Sequence, residues 1–251
     1  MSGTAITAIG IIIFGAALLR GLTGFGFALA AVPLMSLVIA PAKAVVMSVF
    51  IQALAGLADL WLHRGAFDKG TVGILTLGAL IGTPAGVWLL ALAAPDIVQI
   101  AIGLVVAGAT LALAQGHSLT RFRPGPASAL PVGALSGFLG GLAGIPGPPA
   151  IIYCMMRGMT PATARSTLLV FFFATTLFAL PGLAIAGLAS ADLAILALFL
   201  MPVMGAGHFA GAWIFARTDE ARYRQFTLIA LGIMATIAIA QGGAGALARM
   251  G

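Results

Sequence analysis

The sequence has very few charged residues. Only 7% of its 251 residues are charged, and six residues are acidic. In soluble domains, typically about a quarter of the residues are charged. No stretch of this chain is polar enough to form a soluble domain. The carboxylates are also too few and too far apart for a catalytic pair. The twelve basic residues lie in short loops and form no basic stripe with interleaved aromatics, so we expect no nucleic acid partner.

Cysteine and catalytic motifs are also scarce. A single cysteine, Cys154, excludes an internal disulfide and a cysteine-based metal cluster. It lies in an apolar run, where we expect a buried, inert thiol. The chain has no His-Glu-x-x-His, Gly-x-Ser-x-Gly or Walker sequence. We therefore expect no metal, no cofactor and no enzymatic activity.

Long apolar runs dominate what remains. The chain is 61% hydrophobic, in runs of about twenty residues, the length that crosses a bilayer. The predicted full spans are 42–62, 71–93, 97–114, 161–188, 193–216 and 226–247. The first basic residue is Arg20, so the N-terminus lacks the basic region of a signal peptide, and we expect the first segment to remain in the mature protein. The fold class is an all-α polytopic membrane protein.

Two apolar segments are broken by glycine and proline, at 21–26 and 140–149. These residues either cannot hold a helix or have little propensity for one. The flanking pieces, 5–19 and 27–40 in the first case and 130–139 and 150–156 in the second, are each too short to cross alone. Each break indicates either a tilted, broken span or a re-entrant hairpin.

The two breaks match at an offset of 120 without a gap. This offset pairs Gly21 with Gly141, Gly24 with Gly144, Ala30 with Ala150, Pro41 with Pro161, Ala42 with Ala162 and Ala44 with Ala164. Later the offset drifts to 125, where Gly86 and Trp88 fall on Gly211 and Trp213. We predict two repeats, 1–114 and 129–251, joined by a polar linker at 115–128. Each repeat is a broken element followed by three spans.

Loop charge favours hairpins over broken spans. If both broken elements cross, the basic loop residues divide five against six between the two faces. If both are hairpins, nine lie on one face: Arg64, Lys69, Arg121, Arg123, Arg157, Arg165, Arg217, Arg222 and Arg224. Only Lys43 and Arg249 lie on the other face. Basic loops concentrate in the cytoplasm, so we predict hairpins, both termini outside the cytoplasm, and two inverted repeats, a plan that many secondary transporters share.

The paired motifs resemble the TauE/SafE-type sulfite exporter family. The motif at 21–26 with Pro33 and the motif at 141–149 open the two halves, and Pro41-Ala42 and Pro161-Ala162 follow them. The resemblance covers nearly the whole chain. It implies a multi-pass transporter of small anions, such as sulfite, sulfonates or other organic acids, in the bacterial inner membrane. Pro146 stands where the family pattern has glycine, and Arg20 precedes the first motif.

The breaks are the candidate anion site. Broken helices expose unpaired backbone N–H groups and the positive end of the helix dipole, which suit an anion. The candidate cradle comprises Thr23, Gly24, Phe25 and Gly26 with Gly144, Ile145, Pro146 and Gly147. Two such breaks from opposite faces would place Gly24 and Gly144 near each other at the membrane centre. The alternative is that these glycines only allow close helix packing.

Several polar side chains could complete the site. Arg20 abuts the first break, where it could hold an anion or pair with a carboxylate. Ser48 and Gln52 lie one turn apart, and Ser166 and Thr167 occupy the matching region of the second half; all four could solvate an anion or bond between helices. Asp59 and His63, at i and i+4, and His208 are candidates for a proton relay. The Phe171-Phe172-Phe173 tract is expected to face lipid or to lie at the membrane interface.

The sequence thus predicts a secondary transporter of small anions, with an anion channel of the same fold as the alternative. Its expected partners are the anionic substrate and the lipid bilayer, and a homodimer is a further candidate. An intramembrane enzyme and a non-transporting receptor or assembly subunit are the other classes that we considered.

Overall fold

A computed structural model describes residues 2–23, 26–62, 67–114, 124–215, 217, 232, 236 and 240. It confirms the all-α prediction: the described residues form helices and no strands. The helices are α1 (Gly3–Thr23), α2 (Phe27–Met35), α3 (Pro41–Leu62), α4 (Lys69–Leu92), α5 (Pro95–Ala114), α6 (Ala129–Ala143), α7 (Gly147–Met156), α8 (Pro161–Ile185), α9 (Ala191–Phe199) and α10 (Met201–Phe215), with a 3-10 turn at Pro126–Ser128 before α6. The predicted span 226–247 lies outside the described residues, apart from Gly232, Thr236 and Ala240.

Five described helices are long and apolar enough to cross a membrane, and a bent pair would make a sixth. The predictions that the pieces 5–19 and 130–139 are too short to cross alone were wrong, because the candidate spans include Gly3–Leu22 and Pro126–Ala143. Helix α1 has 21 residues, about 31 Å at about 1.5 Å per residue. It continues beyond residue 19 because Arg20 has an acidic partner and because Gly21 packs against the backbone of α10.

The predicted span 193–216 is two helices. Helices α9 and α10 meet at Leu200 with a bend of 43°. Pro202 is the second residue of α10. Proline lacks a backbone N–H but suits the first turn of a helix, so it interrupts one helix and begins the next.

Left-handed glycines stand at both breaks. Gly26 has a φ of 98° and Gly144 a φ of 69°, a region that side-chain-bearing residues rarely adopt. The helices that follow begin at Phe27 and Gly147, and the next begin at Pro41 and Pro161. Both pairs are 120 residues apart, as are the sequence motifs. The broken elements therefore have matching helix starts.

Two interhelical contacts also match. A Cβ atom added at Gly141 of α6 would overlap the carbonyl oxygen of Thr83 and lie 2.7 Å from the amide nitrogen of Val87 on α4. A Cβ atom added at Gly21 of α1 would overlap the carbonyl oxygen of His208 and lie 2.8 Å from the amide nitrogen of Ala212 on α10. These contacts correspond at offsets of 120 and 125. Small residues let membrane helices approach this closely. Each contact joins one helix of the first half to one helix of the second half.

The ion pair near the first break bears on topology. Arg20 lies near the C-terminal end of α1 and Asp59 near that of α3, and their side chains pair. The two helices have 21 and 22 residues. If they met end to end they would span about 60 Å, twice the bilayer core of about 30 Å. Since an end-to-end arrangement does not fit, we expect α1 and α3 to run in the same direction, with α2 returning the chain toward its starting face. This arrangement favours the hairpin.

We therefore expect the N-terminus and the start of α3 to lie on the same face of the membrane. Cysteines introduced at Ser2 and Lys43, both exposed, should react with an impermeant thiol reagent from the same side of intact cells. The native Cys154 is buried and should contribute little background. Labelling of Ser2→Cys and Lys43→Cys from opposite sides would show that the first element crosses the membrane instead.

Candidate functional site

Both breaks line one cavity of about 40 Å³. Such a volume holds about three water molecules or a small anion. The first break supplies Gly26 and the start of α2, and the second supplies Ile145, Pro146 and Gly147. The breaks thus meet where the sequence predicted a site. Gly24, Phe25 and the side chain of Thr23 lie outside the described residues.

An ion pair forms one wall of the cavity. The guanidinium of Arg20 on α1 donates a hydrogen bond to the carboxylate of Asp59 on α3. The two residues are only 9% and 8% exposed. Burying either charge alone would be costly, and pairing offsets the cost. Sequence reasoning offered a carboxylate as one possible partner of Arg20 but did not identify it as Asp59, which it placed with His63, a residue outside the described part of the chain.

Gln52 links the same wall to the second break. Its side-chain nitrogen lies 3.2 Å from the carbonyl oxygen of Gly144, 3.2 Å from the hydroxyl oxygen of Ser48 and 3.3 Å from the carbonyl oxygen of Ser48. The last carbonyls of a helix lack intrahelical partners, so Gln52 meets part of this need at the end of α6. It lines the cavity, whereas Ser48 is fully buried and holds Gln52 from α3.

Two helix N-termini open at the cavity. Helix α2 begins after Gly26 and α7 after Pro146, and neither has a side-chain cap. The first amides of a helix have no intrahelical acceptor, and the dipole makes this end positive. Pro148 and Pro149 lack an N–H, so the first turn of α7 offers fewer donors than that of α2. The two ends together favour negative charge.

The opposite wall is apolar and comes from α7 and α8. Ile151, Leu169, Phe172 and Phe173 line it. The prediction that the Phe171–Phe173 tract faces lipid or the membrane interface was wrong, because Phe171 is fully buried and the next two residues face the cavity. At an offset of 120, Phe172 is the counterpart of Gln52. No sequence signal distinguished this tract from the many apolar residues that do face lipid.

Other predicted site residues lie elsewhere. Thr167 accepts a hydrogen bond of 3.0 Å from the backbone of Asp68, before α4. Ser166 is buried on α8 and is not part of the cavity wall. His208 lies on α10, where that helix packs against α1 at Gly21. Among the described residues, no group of three or more His, Cys, Asp or Glu side chains could hold a metal ion.

The cavity therefore combines a paired cation, an amide side chain, two positive helix ends and an apolar wall inside a membrane protein. This chemistry suits a small anion. The family model of the sulfite exporter TauE/SafE matches residues 9–237. The chain belongs to the TauE/SafE sulfite exporter family. No curated protein and no solved structure matches it. Family membership makes it a multi-pass membrane protein of a transporter family, as the resemblance implied.

Proposed function

We propose that this TauE/SafE protein is a secondary transporter of small sulfur-containing or organic anions, and that the anion binds in the cavity between the two breaks. The observation that carries the proposal is that one cavity is lined by both breaks and by Arg20, Gln52 and Asp59. Arg20 supplies charge, and Gln52, whose amide donates to Ser48 and Gly144, holds the second break against α3. The amides at the start of α2 add further donors to an anion in the same space.

The arrangement of helices supports alternating access. Gly56 of α3 packs against Phe173 of α8, where an added Cβ atom would lie 2.9 Å from the phenylalanine Cβ. Farther along the chain after α3, Asp68 contacts Thr167, which precedes Phe173 on α8. From the first contact to the second, the residue number rises on the α3 side and falls along α8. Helices α3 and α8 therefore run in opposite directions. Their hairpins would then enter from opposite faces, the arrangement of an inverted repeat.

A transport assay tests the proposal. Purified protein in liposomes should take up labelled sulfite, thiosulfate, sulfoacetate or a simple carboxylate. The Arg20→Gln variant should lose at least about tenfold in uptake, because an interaction with a charged group contributes roughly 1.5–3 kcal/mol. Lys43→Gln removes one positive charge from an exposed position and should transport normally. Equal rates in both variants would remove Arg20 from the site.

A counterflow experiment distinguishes a carrier from a channel. A carrier preloaded with unlabelled substrate should accumulate labelled substrate transiently, because the loaded site returns faster than the empty one. A channel shows no such trans-acceleration. Failure of the purified protein to move any tested anion would favour a non-transporting role.

A further inference from the structure

We infer that Asp59 couples anion binding to proton uptake: the anion replaces the Asp59 carboxylate as the partner of Arg20, and the released carboxylate takes up a proton. This inference rests on the proposed function of the cavity. It adds the coupling ion and the residue that binds it.

The cavity already contains an anion in the form of Asp59. Its carboxylate pairs with the guanidinium of Arg20, and both residues line the same cavity. An anion that binds Arg20 there comes within a few ångströms of the carboxylate. Two like charges at this distance repel strongly where water is excluded. The substrate must therefore compete with Asp59 for the same donor groups.

Charge balance shows how the competition is resolved. The ionisable groups that line the cavity are one guanidinium and one carboxylate, which sum to zero. A monovalent anion would add a second negative charge beside the Asp59 carboxylate, which is costly in a buried site. One proton bound to that carboxylate restores the sum of the lining groups and the anion to zero. The proton joins a carboxylate oxygen, Arg20 keeps its own protons, and no other bond changes.

Among the described residues that line the cavity, Arg20 and Asp59 alone are ionisable. Arg165 on α8 acts electrostatically on Arg20, but arginine does not lose its proton in proteins. His208 lies on α10, which packs against α1 beside Arg20. His63 follows Asp59 by one turn of α3 and lies outside the described residues. These two histidines are therefore tested alongside Asp59.

Calorimetry of anion binding tests the inference directly. Methanesulfonate keeps one negative charge between about pH 6 and about pH 8, so any pH dependence belongs to the protein. Titration in buffers with different ionisation enthalpies should show about one proton taken up per anion bound. The dissociation constant of the wild type should rise about tenfold per pH unit over this range, as the uptake of one proton per anion requires.

Matched variants assign the proton. Asp59→Asn keeps a hydrogen-bond acceptor for Arg20 and should bind methanesulfonate without proton uptake and with a flat pH profile. Asp192→Asn removes an exposed carboxylate in the first turn of α9 and should behave as the wild type. His63→Gln and His208→Gln should keep the proton uptake. Loss of uptake in either histidine variant, or its persistence in Asp59→Asn, would overturn the inference.

If Asp59→Asn does not fold, the wild-type measurement still tests the inference. A wild type that binds the anion without proton uptake would overturn it. Arg20→Gln distinguishes the two proposals. If it binds methanesulfonate as tightly as the wild type, the proposed site is wrong and the coupling scheme falls with it. If it loses binding while Asp59→Asn keeps its proton uptake, only the coupling is wrong. Absence of wild-type binding at every pH contradicts both.

Discussion

Replacing Asp59 with leucine is expected to destabilise the protein by about 3–5 kcal/mol, the usual cost of removing one member of a buried ion pair. Asp59 and Arg20 are each about nine-tenths buried. Leucine removes the carboxylate that pairs with the buried Arg20 guanidinium. Arginine cannot escape this cost by losing its proton.

The double variant separates charge from packing. Arg20→Met with Asp59→Leu removes both charges and fills similar volume, and it should unfold within about 1–2 kcal/mol of the wild type, because apolar replacement of a whole buried pair is often close to neutral. Unfolding in mixed detergent micelles gives the free energies. Arg20→Met alone should lie between these values, since Asp59 can neutralise itself by protonation. A double variant as unstable as Asp59→Leu would attribute the loss to packing.

The sequence was sufficient to predict the spans 42–62, 71–93 and 161–188, the two breaks and the family. Runs of about twenty apolar residues and a very low charge permit few other folds. The breaks at 21–26 and 140–149 were visible because glycine and proline stand where a helix should continue. Their common offset of 120 also recurs in the starts of α2 and α7.

Pairing between distant elements was not predictable in the same way. Asp59 has a histidine one turn away in sequence but an arginine 39 residues away as its partner. Local spacing shows which residues share a helix face, whereas the approach of Arg20 on α1 to Asp59 on α3 follows from tertiary packing. The aromatic tract of α8 was misassigned for the same reason, since lipid and cavity are equally suited to phenylalanine.

The orientation of the repeats stays a prediction that the observed contacts favour. The α4–α6 and α1–α10 contacts match at offsets of 120 and 125. Gly86 and Gly211, which are weak evidence of duplication by themselves, each lie in one of these contacts. A duplicated gene would produce this pattern if each half packs one helix against a helix of the other half. The glycines of both contacts then lie where a larger residue would meet the backbone of the other helix.

Gly82→Ala is expected to destabilise the protein by about 3 kcal/mol or more, the upper part of the range for overpacking. A Cβ atom at Gly82 would overlap the carbonyl oxygen of Ala134 on α6 and lie 2.7 Å from its carbonyl carbon and 2.9 Å from the amide nitrogen of Phe138. All three atoms belong to the backbone, so no side-chain rotation relieves the overlap. The helices must separate, and α6 leads into the second break at the cavity.

Gly73→Ala is the matched control on the same helix. An added Cβ atom at Gly73 meets nothing within 4 Å, and alanine favours a helix over glycine by about 1 kcal/mol. We expect Gly73→Ala to be neutral or slightly stabilising in the same micellar unfolding assay. The difference between the two variants therefore isolates the α4–α6 contact from helix propensity. Equal stability of Gly82→Ala and Gly73→Ala would mean that the helices do not approach as closely as this backbone contact requires.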